Sequence, residues 1–148
     1  SLRRQRQMCI RDRFLPRAVA DSDDDEARGM MLLAASYAGL GFGNAGVHLP
    51  HGMSYPVSGL VKSYRPEGYP GDRPLVPHGT SVILNSPAVF RFTGSACPER
   101  HLRAAEVLGA SVKGASLVDA GKILADQITK FMRELNDWRY FLVIRMVE

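Results

Sequence analysis

Along SLVDAGKILADQITKFMREL the apolar residues Leu117, Ala120, Leu124, Ile128, Phe131 and Leu135 recur at intervals of three and four, which lays one apolar stripe on a helix. Ser116 and Asp119 read as a capping box at its start. A second helix is expected from about Asp24 to Leu40. There Ser22 and a run of acids suit the positive end of a helix dipole, and Ala- and Leu-rich helix formers follow. Gly39, Gly41, Gly43 and Gly46 then either end that helix or let another pack very close. In PHGMSYPVSGLVKSY, Pro50 fits a first helical position and Pro56 would bend the helix that forms. RPEGYPGDRPLVPHG is dense in Pro and Gly without periodicity, so it reads as a surface loop of about a dozen residues, a length usually functional or inserted. TSVILNSPAVFRF is apolar enough for a buried helix or a strand, and periodicity alone does not decide. CPERHLRAAEVLG reads as a short helix with Pro98 near its start and Gly109 at its end. The closing DWRYFLVIRMVE breaks the pattern with β-formers and carries no cap, and no internal repeat or low-complexity segment stands out. The middle of the chain is expected to be an all-α domain or a piece of one.

Composition adds little to that picture until the charge is located. With 45% apolar and 23% charged residues in 148, the chain has the makings of one domain with a real core. The net charge of +4 raises the question of a nucleic-acid or membrane partner. All of it sits in SLRRQRQMCIRDR, where Arg3, Arg4, Arg6, Arg11 and Arg13 face the single acid Asp12, leaving 14 basic and 14 acidic residues elsewhere. No basic stripe with interleaved aromatics remains to follow a phosphate backbone, so no nucleic-acid partner is expected. The head could be a transit peptide, being Arg-rich and acid-poor, but it lacks the serines and the apolar face. MCIRDR also resembles translated adaptor sequence at the ends of assembled reads, and residues 1–13 are therefore read as a non-native or disordered head. No apolar run approaches the roughly 20 residues of a membrane span, which leads us to expect a soluble protein without a membrane partner. Cys9 and Cys97 are too few for a disulfide framework and suggest a reducing compartment.

Candidate chemistry is sparse. Gly41, Gly43 and Gly46 satisfy G-x-G-x-x-G, which in a dinucleotide fold brings backbone to a pyrophosphate. That fingerprint must follow a strand, whereas this one follows a helical stretch, so close helix packing is the better reading. His51 and Tyr55 are four apart and share a helix face, and His78 arrives after the loop on a PHG turn. Imidazole is the commonest side-chain ligand of a catalytic transition metal. Two histidines do not make a site, since a structural zinc takes four protein ligands and a catalytic one three with an open position. His48, His101, Cys97 and the acids near Asp23 are the remaining candidates, none at a recognised spacing. The bland alternative is two histidines satisfied by hydrogen bonds. His48 precedes Pro50 and reads as a capping or surface residue. Lys62 and Arg65 flank the loop and could meet an anion, although solvated surface charge is the usual account. No Ser/His/Asp or Cys/His arrangement supports nucleophilic hydrolysis.

At FGNAGVHLPHGMSYPVSGL and LVPHGTSVILNSPAVF the chain closely resembles the iron-containing alcohol dehydrogenase family, and within it the branch of hydroxyacid-oxoacid transhydrogenases. The resemblance runs from about Leu15 to Asn136 and is specific because HGMSYP, the long insert before PHG, and PERHLRAAEVLGA occur together. It implies the helical metal-binding C-terminal domain of a dehydroquinate synthase-like fold, spanning residues 14–136, with 137–148 a divergent tail and the α/β nucleotide-binding half missing. It further implies a divalent metal, iron with zinc as the alternative, held by one Asp and three His, the last two matching His51 and His78. The Asp and the first His would then lie upstream of residue 1, and NAD(H) would be bound mainly by the missing half. Other branches carry a further histidine where this chain has Tyr55, so a proton-relay role does not carry over. The branch oxidises 4-hydroxybutyrate to succinate semialdehyde and reduces 2-oxoglutarate to 2-hydroxyglutarate. Both substrates are small carboxylates, which makes Lys62, Arg65 and Arg73 in the insert candidate anion contacts. The resemblance implies an enzyme, homo-oligomeric when complete, cytoplasmic in a bacterium and mitochondrial in a eukaryote, of which this chain is a fragment inactive alone. A plain NAD(P)-dependent alcohol dehydrogenase of the same family and a metal-free helical interaction module are the rival readings.

Overall fold

A computed structural model describes residues 13–135. The head through residue 12, with Cys9, and the tail from residue 136 lie outside the described residues, and so do the readings placed on them. All regular structure among the described residues is helical, as expected, and the chain divides into two units, Ser1–Val47 and His48–Glu148.

In the first unit α1 spans residues 13–20 and α2 spans Asp25–Ala45. Two of the acids before α2, Asp21 and Asp24, accept backbone N–H groups around its start. Asp24 is the N-cap, its Oδ1 accepting the Ala27 N–H at 2.9 Å, which satisfies one of the donors a first helical turn leaves open. Arg17 of α1 grips that carboxylate with Nε at 2.8 Å and Nη2 at 3.0 Å and also reaches Glu26 at 2.7 Å. The Arg17 guanidinium in turn covers the Phe14 ring, 5.1 Å from its centroid. Hydrogen bonds from Arg17 and from the Ala27 backbone hold the Asp24 carboxyl below the usual carboxylate range. The helix runs past Leu40 through Gly41 and Gly43 and stops at Gly46, whose φ of +76° breaks the helical geometry. Interior glycine weakens a helix without ending it. Among the described residues a Cβ at Gly39, Gly41, Gly43 or Gly46 would meet nothing within 4 Å, so no close helix packing is seen there.

In the second unit α3 spans Leu49–Gly59, α4 His78–Ile83, α5 Ser86–Thr93, α6 Pro98–Val107 and α7 Ala120–Glu134. The segment that could have been strand is thus two short helices meeting at Asn85. Pro50 enters in the first turn of α3, and the helix continues through Pro56 to Gly59. Gly109 ends α6 at φ +89°, and the Gln127 side chain of α7 donates to the Leu108 carbonyl, closing one acceptor that the end of α6 leaves open. The core gathers Leu84, Ala105, Leu124, Ile128 and Met132. The apolar stripe of α7 is therefore real but displaced. Leu117 is 49% exposed because it lies in a separate 3-10 turn, Leu117–Asp119, before the helical period begins. The buried face runs Ala120, Gly121, Leu124, Ala125, Ile128, Met132, with Phe131 and Leu135 half-buried at its edge. The capping box is also replaced. The Ser116 hydroxyl accepts from Val118 N–H at 3.3 Å, and Asp119 N–H donates to the Ser116 carbonyl at 3.1 Å.

The tightest contact in this unit joins two glycines. A Cβ on Gly121 would lie 2.6 Å from the Phe90 carbonyl oxygen and 3.0 Å from Gly94 Cα, and one on Gly94 would lie 2.5 Å from Gly121 Cα. The backbones of α5 and α7 touch at this crossing, with no room for any side chain. Beside it Arg91 and Lys122 donate to the two oxygens of Asp126 at 2.6 and 2.7 Å.

Gly121→Ala should destabilise the chain by about 1–3 kcal/mol in a denaturant titration, the usual penalty of overpacking. Gly39→Ala should gain roughly 0.5–1 kcal/mol from helix propensity alone, and a neutral Gly121→Ala would overturn the crossing. A second outcome concerns acid. Lys122, helped by the Arg91 charge, holds the Asp126 carboxyl below its usual range against a smaller effect of burial. A depressed folded value makes the stabilisation complete above the unfolded value of about 3.9 and lost as pH falls through the folded one. Asp126→Asn should thus lower neutral-pH stability by a few tenths of a kcal/mol, small because the carboxylate is exposed. The gap from wild type should close in acid melts below about pH 4.

Candidate metal centre

His51 sits in the first turn of α3, and His78 is the first residue of α4, so the PHG segment opens a helix where a turn was expected. In each case the preceding proline is set where its fixed φ and missing N–H suit a helix start. The two imidazoles face each other at a centroid separation of 5.3 Å and an interplanar angle of 56°. Among the described residues no hydrogen bond to either ring is found.

Each helix start is held by the same bonds. The Ser54 hydroxyl donates to the His51 carbonyl at 2.7 Å, and the Ser81 hydroxyl donates to the His78 carbonyl at 2.7 Å. One turn on, Ser58 Oγ donates to the Ser54 carbonyl at 2.9 Å and Asn85 Nδ2 to the Ser81 carbonyl at 2.8 Å. Ser54 and Ser81 are 3% and 0% exposed. The sequence carries the signal for this correspondence, because Pro-His-Gly-x-Ser occurs at both Pro50–Ser54 and Pro77–Ser81. A search for long repeats passes over five residues.

The separation of the two rings leaves room for a shared metal ion. An ion about 2.1 Å from a ring nitrogen lies about 3.2 Å from that ring's centroid, so two rings about 5 Å apart meet it near a tetrahedral angle. The chemistry of the donors suits iron or zinc alike. Among the described residues, however, no third His, Cys, Asp or Glu joins them. The other candidates are engaged elsewhere. His48 caps α3 through its backbone carbonyl, which accepts His51 N–H at 2.9 Å, while its ring stacks on Phe90 at 6.1 Å. His101 is bonded at both nitrogens, Nδ1 to the Cys97 carbonyl at 2.8 Å and Nε2 to Thr93 Oγ1 at 3.0 Å. Cys97 is a half-buried free thiol at the start of α6. Asp23 and its neighbours belong to the start of α2, where Asp23 N–H donates to Asp21 Oδ1. Tyr55 is 76% exposed and makes no ring contact with either histidine among the described residues.

The loop 60–77 between the two histidine helices is ordered by its own bonds. Leu75 N–H donates to the Tyr64 carbonyl at 3.0 Å and closes the neck. Arg65 reaches across the ring of chain, Nε donating to the Gly71 carbonyl at 3.0 Å and Nη1 to the Ser63 carbonyl at 3.2 Å. Gly68 supplies the positive φ its tip needs. Arg65 is thus first a clasp for the loop, whereas Lys62 and Arg73 are exposed and carry no ion pair among the described residues. Among the described residues no single helix is long and apolar enough to cross a membrane.

The chain is 64% identical over 124 residues to the mitochondrial hydroxyacid-oxoacid transhydrogenase of Xenopus laevis, covering 84% of this chain and 27% of that protein. The Homo sapiens protein of the same name is 59% identical over the same shares. A probable mitochondrial hydroxyacid-oxoacid transhydrogenase of Dictyostelium discoideum is 54% identical over 137 residues, 92% of this chain and 24% of that one. The chain therefore spans about a quarter of the length of these relatives. No solved structure matches it. The model of the Fe-containing alcohol dehydrogenase family, C-terminal, matches residues 7–141, and the chain belongs to that family.

Proposed function

We propose that the complete protein is a hydroxyacid-oxoacid transhydrogenase to which this chain contributes two metal ligands, His51 and His78. The observation that carries the reading is the open pair of imidazoles 5.3 Å apart on matched helix starts. The names of the relatives supply the reaction class. On this reading 4-hydroxybutyrate gives up a hydride and its hydroxyl proton and becomes succinate semialdehyde, and 2-oxoglutarate takes up a hydride and a proton and becomes 2-hydroxyglutarate. NAD(H), held mainly by the part of the protein beyond this chain, carries the hydride between them. When bound, the divalent metal, iron or zinc, would act as a Lewis acid at the alcohol or carbonyl oxygen. An Asp and a third His from outside this chain complete its ligand set.

The residues of this chain have separate tasks. His51 and His78 would each offer one imidazole nitrogen to the metal. Arg65 shapes the insert, and Lys62 and Arg73 on its exposed side meet the substrate carboxylate. The relatives' names also support a mitochondrial location, and a homo-oligomer is the expected assembly. A plain alcohol dehydrogenase of the same family would turn over without an added 2-oxoacid, which separates the rival reading by one assay. A metal-free helical module would bind no metal at all.

Metal content and transhydrogenation of the complete protein should fall together in His51→Ala and His78→Ala, by at least 100-fold in turnover. Full metal content in both variants would remove the assignment. Lys62→Ala/Arg73→Ala should raise KM for both acids roughly tenfold while leaving kcat near wild type, the signature of lost uniform binding. An unchanged KM would take the loop out of substrate selection.

A further inference from the structure

We infer that Ser54 and Ser81 are positioning residues that aim His51 and His78 at one point. The inference rests on the metal-centre reading above and extends it to side chains that touch neither metal nor substrate. Three observations converge. Each serine follows its histidine by three residues in the repeated Pro-His-Gly-x-Ser. Each hydroxyl donates to that histidine's carbonyl at the same 2.7 Å. Each is buried, whereas the histidines are not: α4 buries Ser81 alone, and α3 buries Ser54 with Pro50.

The physical argument concerns helix starts. α4 has six residues, far fewer than the ~12 needed for a helix to be even marginally stable alone, and α3 loses one backbone donor at Pro56. Backbone hydrogen bonds by themselves leave the direction of such first turns loosely set. A buried hydroxyl donating back to the carbonyl of the histidine fixes the peptide plane on the C-terminal side of that residue, and with it the direction of the Cα–Cβ bond carrying the ring. Ser58 and Asn85 then fix the carbonyls of Ser54 and Ser81 in turn, so each helix carries a two-step ladder that ends at its histidine. Serine is also small enough for buried sites facing a neighbouring helix, and an alanine there would keep the volume while losing the bond. Groups that hydrogen-bond the ring of a metal-ligating histidine govern affinity by about 10–100-fold, and these serines act one step further back, on its backbone carbonyl.

The test uses the complete protein loaded with cobalt(II). Ser54→Ala and Ser81→Ala should each weaken cobalt binding at least tenfold in a chelator competition and shift the visible d–d bands, which report ligand angles. Ser86 is the matched control, since it is 4% exposed and its hydroxyl donates to the Val82 carbonyl at 3.2 Å, yet it follows no histidine. Ser86→Ala should lower the melting temperature of the metal-free protein comparably and leave cobalt affinity and spectrum unchanged. Ser54→Thr, which keeps the hydroxyl, should restore the bands. If His51→Ala and His78→Ala lose cobalt while both serine variants bind it as wild type, the serines are only structural and this inference falls alone. If the histidine variants keep cobalt, the metal centre falls and takes the inference with it.

Discussion

The contact between Gly94 and Gly121 is the constraint on which the second unit turns. With Gly94 and the Phe90 carbonyl laid directly against the backbone of α7, α5 has one position, and the other helices take theirs from it. The Phe90 ring on α5 stacks on His48 at the head of α3 and meets His101 of α6 edge-on at 5.8 Å. α4 runs into α5 through Asn85. α4 is joined to α5 by the chain itself, while α3 meets α5 through the ring stack and packs chiefly on α4. Sub-ångström fit matters at such a crossing because packed interiors give little, and an error at Gly121 would be passed on to the separation of two imidazoles.

A second consequence is that the histidines need no charged neighbours to hold them. Asp24 and Glu26 are taken by Arg17, Asp126 by Lys122 and Arg91, and Glu106 by Arg103. These pairs lie on the surface, where each adds little stability. The centre itself is organised by neutral hydrogen bonds from Ser54, Ser81, Ser58 and Asn85, which are worth about 1 kcal/mol each and are directional.

Much of this was legible in the sequence because it rests on periodicity and on special backbone residues. The helix of α7, the start of α3 at Pro50, the end of α6 at Gly109 and the pairing of His51 with His78 all have local signals or follow from the family resemblance. What the sequence hides is what depends on a distant partner. Gly94 and Gly121 look like weak points in two helices until those helices are crossed, while Gly41 and Gly43, which form a motif on paper, line no contact. Leu117 fits the stripe by spacing and leaves it because a 3-10 turn resets the phase. Arg65 reads as a free cation in the sequence and is tied to two carbonyls in the fold. The acids near Asp23 look like ligands in composition and are a cap in structure.

The loop between the histidines shows how the two kinds of information join. Its Pro and Gly content predicts an irregular surface segment, and nothing in that content predicts order. Arg65 adds to that order, its planar fork holding the Gly71 and Ser63 carbonyls at fixed angles. A loop closed at its neck by Tyr64 and Leu75 and spanned by one guanidinium is stiff enough to set how far α4 starts from the end of α3. Loop closure costs only slowly more with length, so an insert of this size is tolerated as long as its two ends are tied. The spacing of His51 and His78 thus has three independent supports: the glycine crossing that fixes α5, the hydroxyl bonds that fix the first turns of α3 and α4, and the clasp that fixes the chain between them.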